Sequence, residues 1–245
     1  LFQRLYDHPA SFMGKKEMGF FLDKKIDHLT PEAAKAKYAK DHWWGVQQVE
    51  AGKRRGEITP NYQTQREIAP RVRRVLGATQ RFVMMVRDPV KRAYSSYQMR
   101  LRVPKASHEN FGSFERTIEE EYSLIKQCRK KHAWGMAWYT DCYLGAMPWV
   151  GILGHGFYYE HIMLWWQEYP PCSLMVLDQN DLNINGVDSC LYAHLDMQPY
   201  QFEAPQARRN VSADWIQADK YNKDDPMSSQ TEYMLRELYR PHNDK

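Results

Sequence analysis

Apolar and polar positions along the chain fall into two patterns. Unbroken apolar runs at Phe82–Val86 and Leu174–Leu177 have the length and composition of parallel strands buried on both faces. Elsewhere, apolar residues recur every three or four positions and predict helices. Phe114, Ile118, Tyr122 and Ile125 mark one such helix, capped by Ser113, with the acids Glu119 to Glu121 on its solvated face. Tyr158, Ile162, Trp165, Trp166 and Tyr169 mark another, closed by Pro170-Pro171. Residues 1–6 predict a helix ending at Asp7-His8-Pro9, and Thr30-Pro31-Glu32 opens one running toward His42. Pro70 opens an amphipathic helix to Leu76, with Ile68 packing just ahead of it and Gly77 as its stop. Ser229-Gln-Thr-Glu232 is a capping box for a last helix that stops before Pro241. Residues 134–156, aromatic and glycine-containing, carry no readable period.

Length bounds this picture without deciding it. A chain of 245 residues can be one large α/β domain with a well-buried core. The 43% hydrophobic and 26% charged residues suit a folded globular protein, and a net charge of +4 permits an anionic ligand without predicting one. No apolar stretch approaches the ~20 residues of a membrane span, and no signal peptide is visible. The chain begins at Leu1, within what reads as a helix in progress, so the sequence reads as truncated. Cys128, Cys142, Cys172 and Cys190 fit neither a zinc pattern nor a CxxC redox pair, which leaves buried thiols and disulfides both open.

Chemistry gathers where the first apolar run ends. Asp88 is a good N-cap and Pro89 suits the first helical position, so Arg87 leaves the strand where a helix begins. Lys91 and Arg92 then sit in a first turn, where the positive end of the helix dipole disfavours cations. An anion would repair that conflict. Ser95 lies on the same helical stripe, and Arg87 and Ser95 would frame a phosphate, the guanidinium fork gripping two oxygens. Solvated charges at an ordinary turn are the competing explanation.

Arg87-Asp-Pro-Val-Lys-Arg-Ala-Tyr-Ser-Ser-Tyr97 resembles the motif by which sulfotransferases hold the 3′-phosphate of 3′-phosphoadenosine 5′-phosphosulfate (PAPS). The likeness is to the carbohydrate sulfotransferases of the heparan sulfate type, and it gives the phosphate to Arg87 and Ser95. Three further segments resemble that family in the same order. Lys15-Lys16-Glu17-Met18-Gly19-Phe20-Phe21 is similar to a segment whose glutamate is the catalytic base, which implies Glu17 as base and Lys16 as a charge on the departing phosphate. Gly56-Glu57-Ile58-Thr59-Pro60-Asn61-Tyr62 resembles the end of a strand opening into the site, with Ile58 where a lysine is frequent. The stretch from Gly156 to Asp178 resembles the family's late helix and strand. Arg208 and Arg209 stand where related enzymes close a basic loop over the cofactor, and Asn210-Val211-Ser212 is a competing glycosylation sequon.

The resemblance implies a single α/β domain, incomplete at both ends, with a mostly parallel central sheet flanked by helices, of the kind found in P-loop nucleotide kinases. No G-x-x-x-x-G-K-[ST] is present. It implies PAPS as donor, no metal, and a hydroxyl or amine acceptor, most simply a carbohydrate; neither nucleic acid nor a membrane-spanning segment within this chain is implied. It also implies a Cys128–Cys142 disulfide and the Golgi lumen, as part of a membrane-anchored protein, or the cytoplasm for a bacterial-type enzyme. A catalytically silent glycan- or nucleotide-binding relative, suggested by Ile58, and a nucleotide kinase are the alternatives. Trp43 and Trp44 read as packing residues, with sugar stacking as the other use. His155 and His161 read as structural or surface residues.

Overall fold

The computed structural model describes residues 1–14, 17–42, 53–102, 112–132, 135–147, 150–183, 186–201 and 226–244. Its elements run α1 (Phe2–Tyr6), β1 (Ser11–Met13), α2 (Pro31–His42), β2 (Arg54–Gly56), α3 (Ile68–Leu76), β3 (Phe82–Val86), α4 (Pro89–Arg102) and α5 (Phe114–Lys131). A π-helical segment Trp138–Tyr143 runs into α6 (Leu144–Ala146), followed by α7 (Tyr158–Trp166), β4 (Leu174–Asp178), α8 (Val187–His194) and α9 (Ser229–Asn243). The chain divides into two compact units, Leu1–Val86 with Ile162–Ala207, and Arg87–His161 with Arg208–Lys245.

The first unit carries the strands. β1 pairs with β2 and β3 with β4, both in parallel, with Phe12 opposite Arg55 and Met84 opposite Val176. β3 is covered on both faces, as its unbroken apolar run requires. Met84 packs into a cluster with Phe20, Phe21, Ile26, Ile68 and Val72, and Phe82 meets the rings of Trp165 and Tyr169 at 4.5 and 4.7 Å. Val83 and Met85 point the other way, onto Leu5, Leu177, Leu191 and Met197. Each large side chain fully buried here contributes about 1.5–3 kcal/mol. α3 begins at Ile68, two residues before Pro70. Proline is tolerated there because the first four N–H groups of a helix have no partner within it. Gly77 stops the helix as expected, its N–H bonding the Arg73 carbonyl at 2.9 Å and its φ at 87°.

In the second unit, Asp88 caps α4, its Oδ1 accepting from Val90 N and Lys91 N at 2.9 Å each. α5 is capped by Ser113 and pinned to the π-helical segment by the Cys128–Cys142 disulfide, with Cα atoms 5.5 Å apart. The acids of α5 are not all solvated. Glu121 is buried with Phe114, Ile118, Ile125 and Cys128, while Tyr122 is half-buried. α9 is capped by Ser228, one residue before the expected box, and continues through Pro241. The lost hydrogen bond lies in the last turn, which other contacts hold. The His242 imidazole bonds the Glu160 carboxylate, Asn243 Nδ2 donates to Gly156 O at 2.9 Å, and Asn243 Oδ1 accepts from Tyr158 N at 3.1 Å. No described helix is long and apolar enough to cross a membrane.

Candidate functional site

The strand-to-helix junction forms as its residues dictate. β3 ends at Val86, Asp88 turns the chain, and Pro89 takes the first helical position. Arg87, between them, is half-buried, and its Nη2 donates to the Lys91 carbonyl at 2.9 Å. Its Nε is buried without a hydrogen-bond partner among the described residues. Burial draws the Arg87 pKa below its ordinary value, an effect the nearby Tyr158 phenol partly offsets, yet an arginine remains a cation throughout.

Arg92 turns away from the dipole conflict that its position suggests. Its guanidinium donates to the Ile152 carbonyl, and its Nε is also buried without a partner among the described residues. Burial acts to raise the Asp88 carboxyl, but the Lys91 and Val90 N–H groups and Arg236 outweigh it and hold the group below the usual range. Arg236 Nη1 lies 3.4 Å from Asp88 Oδ2. The cap is therefore an ionised carboxylate partnered by Arg236, and among the described residues no ion pair forms at Arg87. Ser95 is exposed on α4, and Arg87 Nη2 donates to the helix backbone at Lys91 O and not to this hydroxyl.

Glu17 is built into a different part of the chain. It is exposed, in a turn, with φ at 60° in the left-handed region that residues other than glycine rarely adopt. The conformation is fixed from the neighbouring segment. Gly14 N donates to Gly56 O at 2.9 Å, Glu17 N to Ile58 O at 2.8 Å and Gly19 N to Thr59 Oγ1 at 3.3 Å. Phe21 N then donates to the Tyr62 hydroxyl at 3.1 Å. These bonds prolong the β1–β2 pairing and hold Gly14 and residues 17–21 along residues 56–62. Strain of this sort, imposed by surrounding structure, concentrates at functional sites.

Lys15, Lys16, Trp43, Trp44, Arg208, Arg209 and Asn210 lie outside the described residues. The described residues bring the Glu17 turn to Ile58, and Arg87 to the first turn of the helix bearing Ser95.

Sequence reasoning missed the carboxylate that organises residues 151–154. Glu121 Oε1 accepts from the Tyr143 hydroxyl at 2.6 Å and from Gly154 N at 2.7 Å, while Oε2 accepts from Leu153 N at 2.9 Å. A Cβ at Gly151 would lie 2.3 Å from the Glu121 carboxyl carbon, so only glycine fits that approach. The signal was present in the spacing. Residues 114, 118, 121, 125 and 128 form one continuous helical stripe on which Glu121 is the single acid. Through Arg92 on Ile152 O, this network anchors the helix that follows Arg87.

No family model matches this chain, and no curated protein does. Among solved structures it is similar to a sulfotransferase from Alicyclobacillus acidocaldarius, with a TM-score of 0.60 and 17% identity, over 97% of this chain and 84% of that one. At that identity the likeness speaks to architecture: this is an α/β chain with small parallel sheets flanked by helices, in a sulfotransferase-like fold.

Proposed function

We propose that this chain is the PAPS-dependent sulfotransferase domain of an enzyme that sulfates a hydroxyl or amine, with a carbohydrate as acceptor. The observation that carries the proposal is the Arg87 guanidinium, a half-buried cation at the start of α4 whose Nε is buried without a partner among the described residues. A buried donor on a charged group is costly to leave unpaired, and a phosphate oxygen satisfies it with a charge-assisted bond. The fold likeness supports the same reading.

Bound PAPS supplies the activated sulfuryl group. Arg87 and Ser95 are assigned to its 3′-phosphate, with Lys16, Arg208 and Arg209 as further basic groups. Glu17 receives the proton of the acceptor hydroxyl or amine as that atom becomes the nucleophile. Its turn is held by main-chain donors bonded to the Ile58 carbonyl and the Thr59 hydroxyl, so the carboxylate starts from a fixed backbone and less ordering is required during reaction.

The test combines titration calorimetry with adenosine 3′,5′-bisphosphate and transfer of radiolabelled sulfate to a panel of glycans and small alcohols. Arg87→Ala should weaken nucleotide binding by at least about tenfold, the scale of one lost charge-assisted bond. Glu17→Gln should bind normally and transfer nothing. Undiminished transfer by Glu17→Gln removes Glu17 as base, and preference for ATP over the bisphosphate replaces the proposal with a kinase. The replacement of the frequent lysine by Ile58 favours one other reading, a silent relative. Tight nucleotide binding by the wild-type protein with no transfer to any acceptor would establish it.

A further inference from the structure

Arg92 belongs to the first turn of α4, where its N–H donates to the Asp88 carbonyl at 2.9 Å. The carbonyl of that same peptide unit, Lys91 O, accepts from Arg87 Nη2. The Arg87 guanidinium therefore rests on the peptide group that carries Arg92 into the helix. Whatever fixes Arg92 also fixes the seat of Arg87.

The Arg92 guanidinium is in turn held by the carbonyl of Ile152. A trans peptide unit is planar, with its C=O and N–H pointing in opposite directions. The N–H that shares a plane with Ile152 O is that of Leu153, and it donates to Glu121 Oε2 at 2.9 Å. One peptide group thus stands between a buried carboxylate and a guanidinium, its N–H on the anion and its C=O on the cation. Its dipole of about 3.5 D is favourably placed at both ends, and each hydrogen bond polarises the other.

The neighbouring groups hold this bridge in place. Gly151 N donates to the Tyr143 hydroxyl at 3.0 Å, Gly154 N to Glu121 Oε1 at 2.7 Å, and the Tyr239 hydroxyl to Leu153 O at 2.9 Å. The Tyr143 hydroxyl also donates to Glu121 Oε1 at 2.6 Å, which fixes the plane of the carboxylate. A buried charge requires a counter-charge. Across the Ile152–Leu153 peptide, Glu121 and Arg92 supply one another's.

We infer that Glu121 is a positioning residue of the phosphate site, acting across the Ile152–Leu153 peptide on Arg92 and, through the Lys91–Arg92 peptide, on Arg87. Without the carboxylate the bridging peptide is free to rotate, Arg92 loses its acceptor, and the Arg87 guanidinium loses the alignment on which anion binding depends. The inference rests on the phosphate reading of Arg87.

A double-mutant cycle on the affinity for adenosine 3′,5′-bisphosphate, measured by calorimetry well below the melting temperature of each variant, tests it. Glu121→Gln and Arg92→Met should each weaken binding by about fivefold or more, and the double variant by no more than the weaker-binding single one, because Glu121 acts through Arg92. Losses that multiply, or wild-type affinity in either single variant, overturn the inference. A second readout needs only the Arg92 variants. In isotope-labelled protein followed by NMR, Arg92→Met should shift the Leu153 amide proton upfield, since the carbonyl of its peptide unit is no longer polarised. Arg92→Lys, which keeps a cation, should recover part of both the shift and the affinity. An unmoved Leu153 amide in Arg92→Met overturns the inference even where Glu121→Gln does not fold. A wild-type protein with no affinity for the bisphosphate removes the proposed function and this inference with it, whereas normal wild-type affinity with multiplying losses removes the inference alone.

Discussion

The main-chain N–H of Glu17 donates to the carbonyl of Ile58 at 2.8 Å. Two segments some forty residues apart, which the sequence offers as separate likenesses to one enzyme family, are thus neighbours through their backbones. The position where a lysine is frequent lies beside the proposed base. If charge stabilisation is what Ile58 omits, then Ile58→Lys should raise transfer by about tenfold while leaving bisphosphate affinity unchanged. Steady-state kinetics with separate kcat and KM, alongside calorimetry, measures this. An unchanged kcat places the stabilising cation elsewhere.

Glu17 is held at φ 60°, where a side chain costs about 1 kcal/mol relative to glycine. Glu17→Gly should therefore raise stability by up to that amount in urea titrations while abolishing transfer. A variant at once more stable and inactive would mark the turn as selected for chemistry. A destabilised Glu17→Gly would mean that the carboxylate itself supports the fold.

Glu121 accepts three hydrogen bonds in a buried site. In Glu121→Gln one acceptor oxygen becomes a donor facing N–H or O–H groups, with a loss of about 2–3 kcal/mol. Chemical denaturation of the wild type and Glu121→Gln reads this directly, and a change below about 0.5 kcal/mol would deny the carboxylate its organising role.

His155 Nδ1 donates to Gly151 O, 2.8 Å away, and burial depresses its pKa to about 4. Burial also pushes His161 down, with its ring bonded to the Tyr139 hydroxyl at 2.8 Å. Between about pH 6.5 and 4 the unfolded chain binds a proton that the folded imidazole refuses. Stability is full above the unfolded pKa and falls as the pH drops, by up to about 1.4 kcal/mol per unit for each such group. Denaturation midpoints at pH 7, 6 and 5 should decline accordingly, and His155→Gln should flatten the slope. An equally steep slope in that variant assigns the effect to other groups.

The Cys128–Cys142 bridge closes a loop across a sequence separation of 14. By chain entropy such a loop contributes about 3 kcal/mol. Cys142→Ser should lower stability by roughly that much under oxidising conditions, and reduction of the wild type should match it. If neither changes the denaturation midpoint, the bridge is dispensable.

What the sequence made legible was local. β3 and the start of α4 follow from an apolar run, an aspartate cap and a proline, all within nine residues, and the structure reproduces them. The burial of Glu121 escaped because its partners Tyr143 and Gly154 lie 22 and 33 residues away, and a run of three acids looks solvated until they are known. The passage of α9 through Pro241 escaped for the same reason, since the contacts that hold its last turn come from residues 156–160. β1 and β2, at three residues each, are too short to show a period, and the π-helical segment at 138–143 has none of the spacings a reader tests for.

Asn243 couples the last turn of α9 to the peptide units at Gly156 and Tyr158, more than eighty positions earlier. A substitution at Asn243, or a deletion that reaches it, therefore perturbs the start of a helix deep in the sequence. Variants in the last turn of α9 are best judged by the integrity of residues 156–158.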